Sequence, residues 1–185
     1  YKLIIHDNYA GNTGYGAWNH GQPESGWILD TRADDAVRHG AINDVSIFNS
    51  SQVIREINNT SKGVINHRCA ITINSGFDGA VLDFRNANDD SVVRLETICG
   101  KWQLLCADGS YEAVFDPAGE VRFVSDFKID LYGNTLRLII NDKVCGTYPL
   151  ATAGVNSNIQ NFRFSSTDSG KIYFTLGLCE AYVNY

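Results

Sequence analysis

The sequence predicts an all-β domain, a two-sheet antiparallel β-sandwich, on three observations. Short stretches of period-two apolar alternation recur along the chain; Gly, Asn, Asp and Ser punctuate them at close intervals; and no segment carries the sustained apolar stripe of a three-turn helix. The balance of 44% apolar and 19% charged residues over 185 positions is that of a globule with one sizeable core. No composition shift, fixed-period repeat or Pro/Ser-rich linker divides the chain, so residues 1–185 read as a single domain.

The opening stretch from Asn8 to Pro23 is rich in Gly and Asn yet carries Tyr9, Tyr15 and Trp18, which predicts a long loop holding exposed aromatics. Asp34–His39 is expected to form at most one short helical turn. Strands are expected at Val45–Phe48, Gln52–Ile57, Arg68–Ile73 and Ala80–Phe84, each bounded by turn-forming residues. Gly100-Lys101, with Gly first, suits a type II′ turn joining Val92–Cys99 to Trp102–Ala107. That register puts Leu95, Thr97 and Cys99 on one face with Trp102, Leu104 and Cys106.

The clearest alternation lies in Val121–Leu131, where Val121, Phe123, Phe127, Ile129 and Leu131 share a side. Tyr132-Gly-Asn134 then turns the chain into Thr135–Ile140, and Asn141-Asp142 turns it again into Lys143–Tyr148, giving a three-stranded meander. Ile159–Phe164, Ile172–Leu178 and Ala181–Val183 close the set. Ten or more short strands of this kind favour jelly-roll connectivity over a closed barrel.

Composition also excludes function classes. A net charge of −6 without any Lys/Arg cluster lacks the basic face that a polyanion requires, so nucleic acid is not an expected partner. No run of about 18 apolar residues is present to cross a bilayer, and no membrane partner is expected. The chain holds no Met, not even at its first position, and reads as part of a longer parent chain. Five cysteines at 69, 99, 106, 145 and 179 cannot all pair and have no zinc spacing; most are expected to be buried free thiols. Sequons stand at Asn49, Asn58 and Asn59.

The order of certain parts resembles the concanavalin A-like, laminin-G-like jelly-roll superfamily. Those parts are His6-Asp7-Asn-Tyr, Ser25-Gly-Trp-Ile-Leu-Asp30, the run from Asp130 to Lys143, and the closing strands from Lys171 to Asn184. The resemblance implies an accessory module of a secreted bacterial polysaccharide-degrading enzyme, with a polysaccharide or oligosaccharide as partner, an adjacent catalytic domain and an extracellular or cell-surface location. The strand followed by an Asn-Asp turn is also similar to the C-terminal sandwich of some fructan-cleaving glycosidases.

Glycosidases of the superfamily carry Glu-x-Asp-x-Glu on one strand, because hydrolysis needs an acid and a partner carboxylate. Here the six Glu, at 24, 56, 96, 112, 120 and 180, are isolated, and Asp34-Asp35 and Asp89-Asp90 sit in loop-like contexts. Polysaccharide lyases on similar sandwiches use Arg, Gln, His and Tyr to neutralise a uronate and take its proton. Arg94-Leu-Glu96 supplies one alternating pair of that kind, without the companion Gln-x-His. His6, His20, His39 and His67 are scattered without metal spacing and are expected in surface or structural roles. The expectation is therefore no catalytic residue, no cofactor and no metal. The structural calcium common in the superfamily would find its best ligand in Asp7.

Sugar rings stack their C–H faces on aromatics while amides and carboxylates bond their hydroxyls. Tyr15, Trp18, Asn19 and His20 have that mixture and are the first candidates for ligand binding, with Tyr111 and Tyr132, expected at turns, as further ones. Trp27 and Trp102 are expected in the core. The leading expectation is a non-catalytic carbohydrate-binding module. An architectural or oligomerisation sandwich of a glycosidase predicts Tyr15 and Trp18 packed away. A small lyase or hydrolase predicts Arg94, Glu96 or other ionisable side chains converging in a cleft.

Overall fold

In the computed structural model the chain is described at residues 2–7, 18–19, 22–23, 27–30, 37–39, 45–48, 52–56, 63–73, 78–116, 122–167 and 173–184, with side chains at 54, 63–69, 78–116, 125–165 and 167. Strands follow one another in chain order: β1 (Lys2–Asp7), β2 (Trp18–Asn19), β3 (Gln22–Pro23), β4 (Trp27–Asp30), β5 (Val37–His39), β6 (Val45–Phe48), β7 (Gln52–Glu56), β8 (Val64–Ile73) and β9 (Ala80–Arg85). Then come β10 (Ser91–Ile98), β11 (Lys101–Leu105), β12 (Tyr111–Phe115), β13 (Arg122–Asp130), β14 (Thr135–Ile140), β15 (Lys143–Pro149), β16 (Asn161–Ser166) and β17 (Tyr173–Asn184). Among the described residues the helical content is a single 3-10 turn, Gly154–Asn156.

Two antiparallel sheets face each other. One runs β15-β14-β13-β8-β17-β6-β5, with β1 also paired to β17; the other runs β12-β11-β10-β9-β16-β7-β4. Neighbours far apart in sequence, such as β9 beside β16 and β8 beside β17, are the crossovers of a jelly roll. The twelve-residue β17 pairs along β8, against β6 at its start and against β1 near its end, where Lys2 stands opposite Val183.

The alternation expected in β13 is present: Ser125, Phe127 and Ile129 are buried with the following Leu131. They meet Leu136, Leu138 and Ile140 of β14, and across the sandwich Leu82, Phe84, Val93, Leu95, Trp102, Leu104, Phe162 and Phe164. His67 is buried among these rings, 4.8 Å from Phe84 and 4.7 Å from Phe162 between centroids. Trp102 is core, as expected, at 2% exposure.

Several expectations are corrected. The first hairpin turn is Cys99-Gly100, not Gly100-Lys101: both residues have positive φ, 53° and 71°, the pattern of a type I′ turn, and Ile98 pairs with Lys101. Leu95 does face Leu104 and Thr97 does face Trp102, but Cys99 has left the ladder and is exposed. The Asp78 carboxylate holds that turn by accepting from the Cys99 amide at 3.0 Å and the Gly100 amide at 2.7 Å. In the Asn141-Asp142 turn, φ is likewise positive at both residues.

Val37–His39 is a strand rather than a helical turn, and the expected loop up to Pro23 contains the β2–β3 pair, with Trp18 opposite Pro23 and Asn19 opposite Gln22. The two closing strands are one, because a register shift between Leu176 and Cys179 absorbs the interruption and lets β17 continue. Of the four cysteines with described side chains, only Cys69 is buried; Cys99 is exposed and Cys106 and Cys145 are half-buried.

Candidate functional site

The inner face of the seven-stranded sheet belongs to the core, so alternation delivers every second residue of β9, β10 and β16 to the opposite face. On β10 these are Arg94 and Glu96, between the buried Val93, Leu95 and Thr97. On β9 they are Val81, Asp83 and Arg85, and on β16 Asn161, Arg163 and Ser165 flanking the buried Phe162 and Phe164. Register then sets them side by side: Asp83 lies opposite Arg94 on one neighbour and Arg163 on the other, and Arg85 lies opposite Asn161. Tyr111, the first residue of β12, closes the row from the sheet edge instead of standing in a turn.

These side chains form one network. Arg94 donates to Glu96 at 2.9 Å, to Asp83 at 3.3 Å and to the Tyr111 hydroxyl at 3.1 Å, and that hydroxyl donates to Glu96 at 3.1 Å. Arg85 Nε reaches the same Asp83 oxygen at 2.7 Å, while its other arm holds the Asp89 carboxylate at 3.0 Å and carbonyl at 2.9 Å. Arg163 completes the row by binding Asp89 and, at 3.1 Å, Asn161. Three guanidiniums are thus laid against three carboxylates.

Arg85, Arg94, Glu96 and Arg163 keep between 16% and 21% of their side-chain surface exposed, and Asp83 only 2%. Shielding of this degree makes the bonds among Arg85, Asp83, Arg94, Glu96 and Tyr111 stronger than on an open surface, whereas Asp89, 57% exposed, stays in contact with water. Asp83 Oδ2 serves two arginines, whereas Oδ1 is buried without a hydrogen-bond partner. Burial disfavours the Arg94 charge, but the bond to Glu96 and the neighbouring Tyr111 and Asp83 outweigh it and hold the guanidinium above its ordinary range. Burial raises the Tyr111 phenol, so it remains protonated at neutral pH.

Arg94 and Glu96 therefore converge with other ionisable groups, along a sheet face and not in the cleft that the enzyme alternative expects. Each of these charges has its counter-charge, and the Tyr111 phenol keeps its proton while bonded to both Arg94 and Glu96. Among described side chains the sole histidine, His67, is in the core, where burial pulls it down to about 3. The described residues contain no group of three or more His, Cys, Asp or Glu able to hold a metal ion.

Of the residues expected to bind ligand, Tyr111 is in this network. Tyr132 is 68% exposed on the turn after β13, where the amides of Tyr132 and Gly133 donate to Asp130. Trp18 and Asn19 form β2, with side chains outside the described residues, as are Tyr15 and His20. The side chains of Asp7, the suggested calcium ligand, and of Trp27 also lie outside them. Asp83, Arg85, Asp89, Asn161 and Arg163 were not anticipated. Their signal was the polar-apolar-polar triplets Asp83-Phe84-Arg85, Arg94-Leu95-Glu96 and Asn161-Phe162-Arg163, meaningful only once the three strands are neighbours.

No protein-family model matches the sequence, and no curated protein sequence is detectably similar to it. Solved structures are similar in fold. A sialidase superposes with a TM-score of 0.72 at 11% identity over 86% of this chain and 17% of its own. The receptor-binding domain of botulinum neurotoxin C/D mosaic serotype gives 0.61 at 14% over 97% and 47%. An alginate lyase of polysaccharide lyase family 7, AlgAT5, gives 0.60 at 11% over 84% and 85%. The chain thus spans about a sixth of the sialidase and under half of the toxin domain. Its fold is the concanavalin A-like jelly roll.

Proposed function

We propose that the outer face of the seven-stranded sheet binds glycans and that the domain serves as a non-catalytic carbohydrate-binding module of an exported glycan-degrading protein. The observation that carries this reading is the row of half-buried planar groups, Tyr111, Glu96, Arg94, Arg85 and Arg163, held in place around the buried Asp83 carboxylate at its centre. Guanidinium, carboxylate, amide and phenol groups supply the donors and acceptors that a sugar's hydroxyls require. Held by one another, they lose little freedom when a ligand arrives. The structural neighbours fit a glycan partner. One toxin structure is described by its dependence on two ganglioside molecules and another as a complex with SialylT.

The test is retention of the isolated domain on a panel of plant, algal and host polysaccharides, comparing wild type with Arg94→Ala and Trp18→Ala. Loss in folded Arg94→Ala supports the sheet face. Loss in Trp18→Ala alone moves the site to the Tyr15, Trp18, Asn19 and His20 stretch. Retention on no polymer leaves the architectural sandwich as the better reading.

A second reading is favoured by the Arg94–Tyr111–Glu96 contacts, in which a cation stands beside a phenol able to exchange a proton. A polysaccharide lyase would use Arg94 to neutralise a uronate carboxylate, Glu96 to take the proton from the adjacent ring carbon and Tyr111 to give its own proton to the leaving oxygen, with Glu96 then returning the abstracted proton to Tyr111. Incubation with polyuronates tests it: unsaturated product that disappears in Tyr111→Phe would replace the binding module with an enzyme.

A further inference from the structure

A separate hollow of about 240 Å³ opens at the end of the sandwich, lined by Asn86, Ala87, Asn88, Val155, Asn156, Asn158 and Gln160. Five of the seven lining side chains are carboxamides and none is charged. One wall is the turn between β9 and β10; the other is the 3-10 turn and the segment leading to β16.

The walls are fixed to each other before any ligand arrives. Asn86 is 3% exposed: Nδ2 donates across to the Asn156 carbonyl at 2.9 Å, while the rest of its side chain holds its own turn, Nδ2 donating to Asp90 at 3.1 Å and Oδ1 accepting from the Asn88 and Asp90 amides, both at 2.9 Å. The Gln160 amide donates to the Arg85 carbonyl at 2.7 Å, and Ser157 Oγ to the Gly154 carbonyl at 2.7 Å. The Gly154 amide is held at 3.0 Å by Asn134 Oδ1. Against this scaffold Asn88 and Asn156 are exposed, and Val155 offers an apolar side chain at 88% exposure.

A carboxamide donates and accepts at once, which suits a hydroxyl that does the same, whereas an ion would find no counter-charge on these walls. The volume lies below the range of about 300–1,000 Å³ that holds drug-sized ligands, so one ring fills it and any further units of a chain would lie outside. We infer that this amide-lined hollow is a second binding site, specific for a single neutral sugar unit, with Asn88, Asn156, Asn158 and Gln160 bonding hydroxyls and Val155 covering the C–H face. It rests on the hollow's own chemistry and does not require the sheet face to bind anything.

The experiment is a titration of the ¹⁵N-labelled domain with the methyl glycosides of glucose, galactose and mannose, and with methyl glucuronide as the charged counterpart. Backbone and side-chain amide signals at 86–88 and 154–160 should move with at least one neutral glycoside, with dissociation constants of about 1–10 mM, the range expected for a few neutral bonds. The glucuronide should bind at least about tenfold more weakly there. Asn88→Ala combined with Asn156→Ala, both exposed positions, should weaken the neutral ligand about tenfold or more while signals elsewhere keep their places. The inference is overturned by motionless signals in this segment with all neutral glycosides, by a preference for the glucuronide, or by movement confined to the sheet-face residues around Arg94.

Discussion

A histidine wrapped in phenylalanines makes the fold sensitive to acid in a window that can be stated in advance. Burial pulls the His67 imidazole from 6.5 to about 3, so between those values an unfolded chain takes up a proton that the folded one refuses. Stability contributed by the neutral ring is present above about pH 6.5 and is lost progressively as pH falls toward 3. Each pH unit in that window is worth about 1.4 kcal/mol, and the whole window about 5 kcal/mol, which is comparable with the lower end of typical domain stability. The assay is urea unfolding of wild type and His67→Leu at several pH values between about 8 and 4. The variant changes packing by the same amount at every pH, so only the proton uptake differs between the two curves. Wild type should lose about 3 kcal/mol more than His67→Leu between pH 7 and pH 4. Parallel curves would refute the reasoning, since carboxylates titrate alike in both proteins.

Two further outcomes follow from the turns and thiols. Cys99 occupies the first position of a type I′ turn with φ at 53°, a conformation that Asn adopts more readily, so Cys99→Asn should raise stability by a few tenths of a kcal/mol up to about 1 in thermal or urea melts. Cys69 is buried, bonded to Ser125 at 3.2 Å and pushed up to about 12 by its burial, so a thiol reagent at neutral pH should modify Cys99 first and Cys69 only on unfolding, as mass spectrometry of digested samples can follow.

Where sequence and structure agree, local chemistry decides the matter. The β13–β14–β15 meander was legible because its turns use residues that tolerate positive φ, Asn134, Asn141 and Asp142, between strands that alternate cleanly. Strand β12 was not: Tyr111–Phe115 is an edge strand whose residues are half-buried or exposed on both sides, so no period of two survives. Strand β17 read as two, Ile172–Leu178 and Ala181–Val183, with a break at Cys179-Glu180, and only pairing with β8 across the register shift carries it through. The sheet-face network was hidden for a different reason. Alternation in each triplet was visible, but Asp83 meets Arg94 on one side and sits beside Arg163 on the other through a crossover spanning more than 70 residues, which local pattern does not encode.

The pairing of β1 with the last stretch of β17 has a topological consequence. With Lys2 opposite Val183, β1 and β17 lie side by side, so positions 2 and 183 sit at neighbouring points of one sheet. Such a unit can be spliced into a surface loop of a host protein, entering and leaving through the same gap without stretching it. The same neighbourhood permits a short linker to close the chain on itself, with new ends opened at the exposed Asp142-Lys143 bond. It also means that β1 completes its ladder only after β17, more than 160 residues later in sequence, has been made, which makes this seam later in folding than the local hairpins.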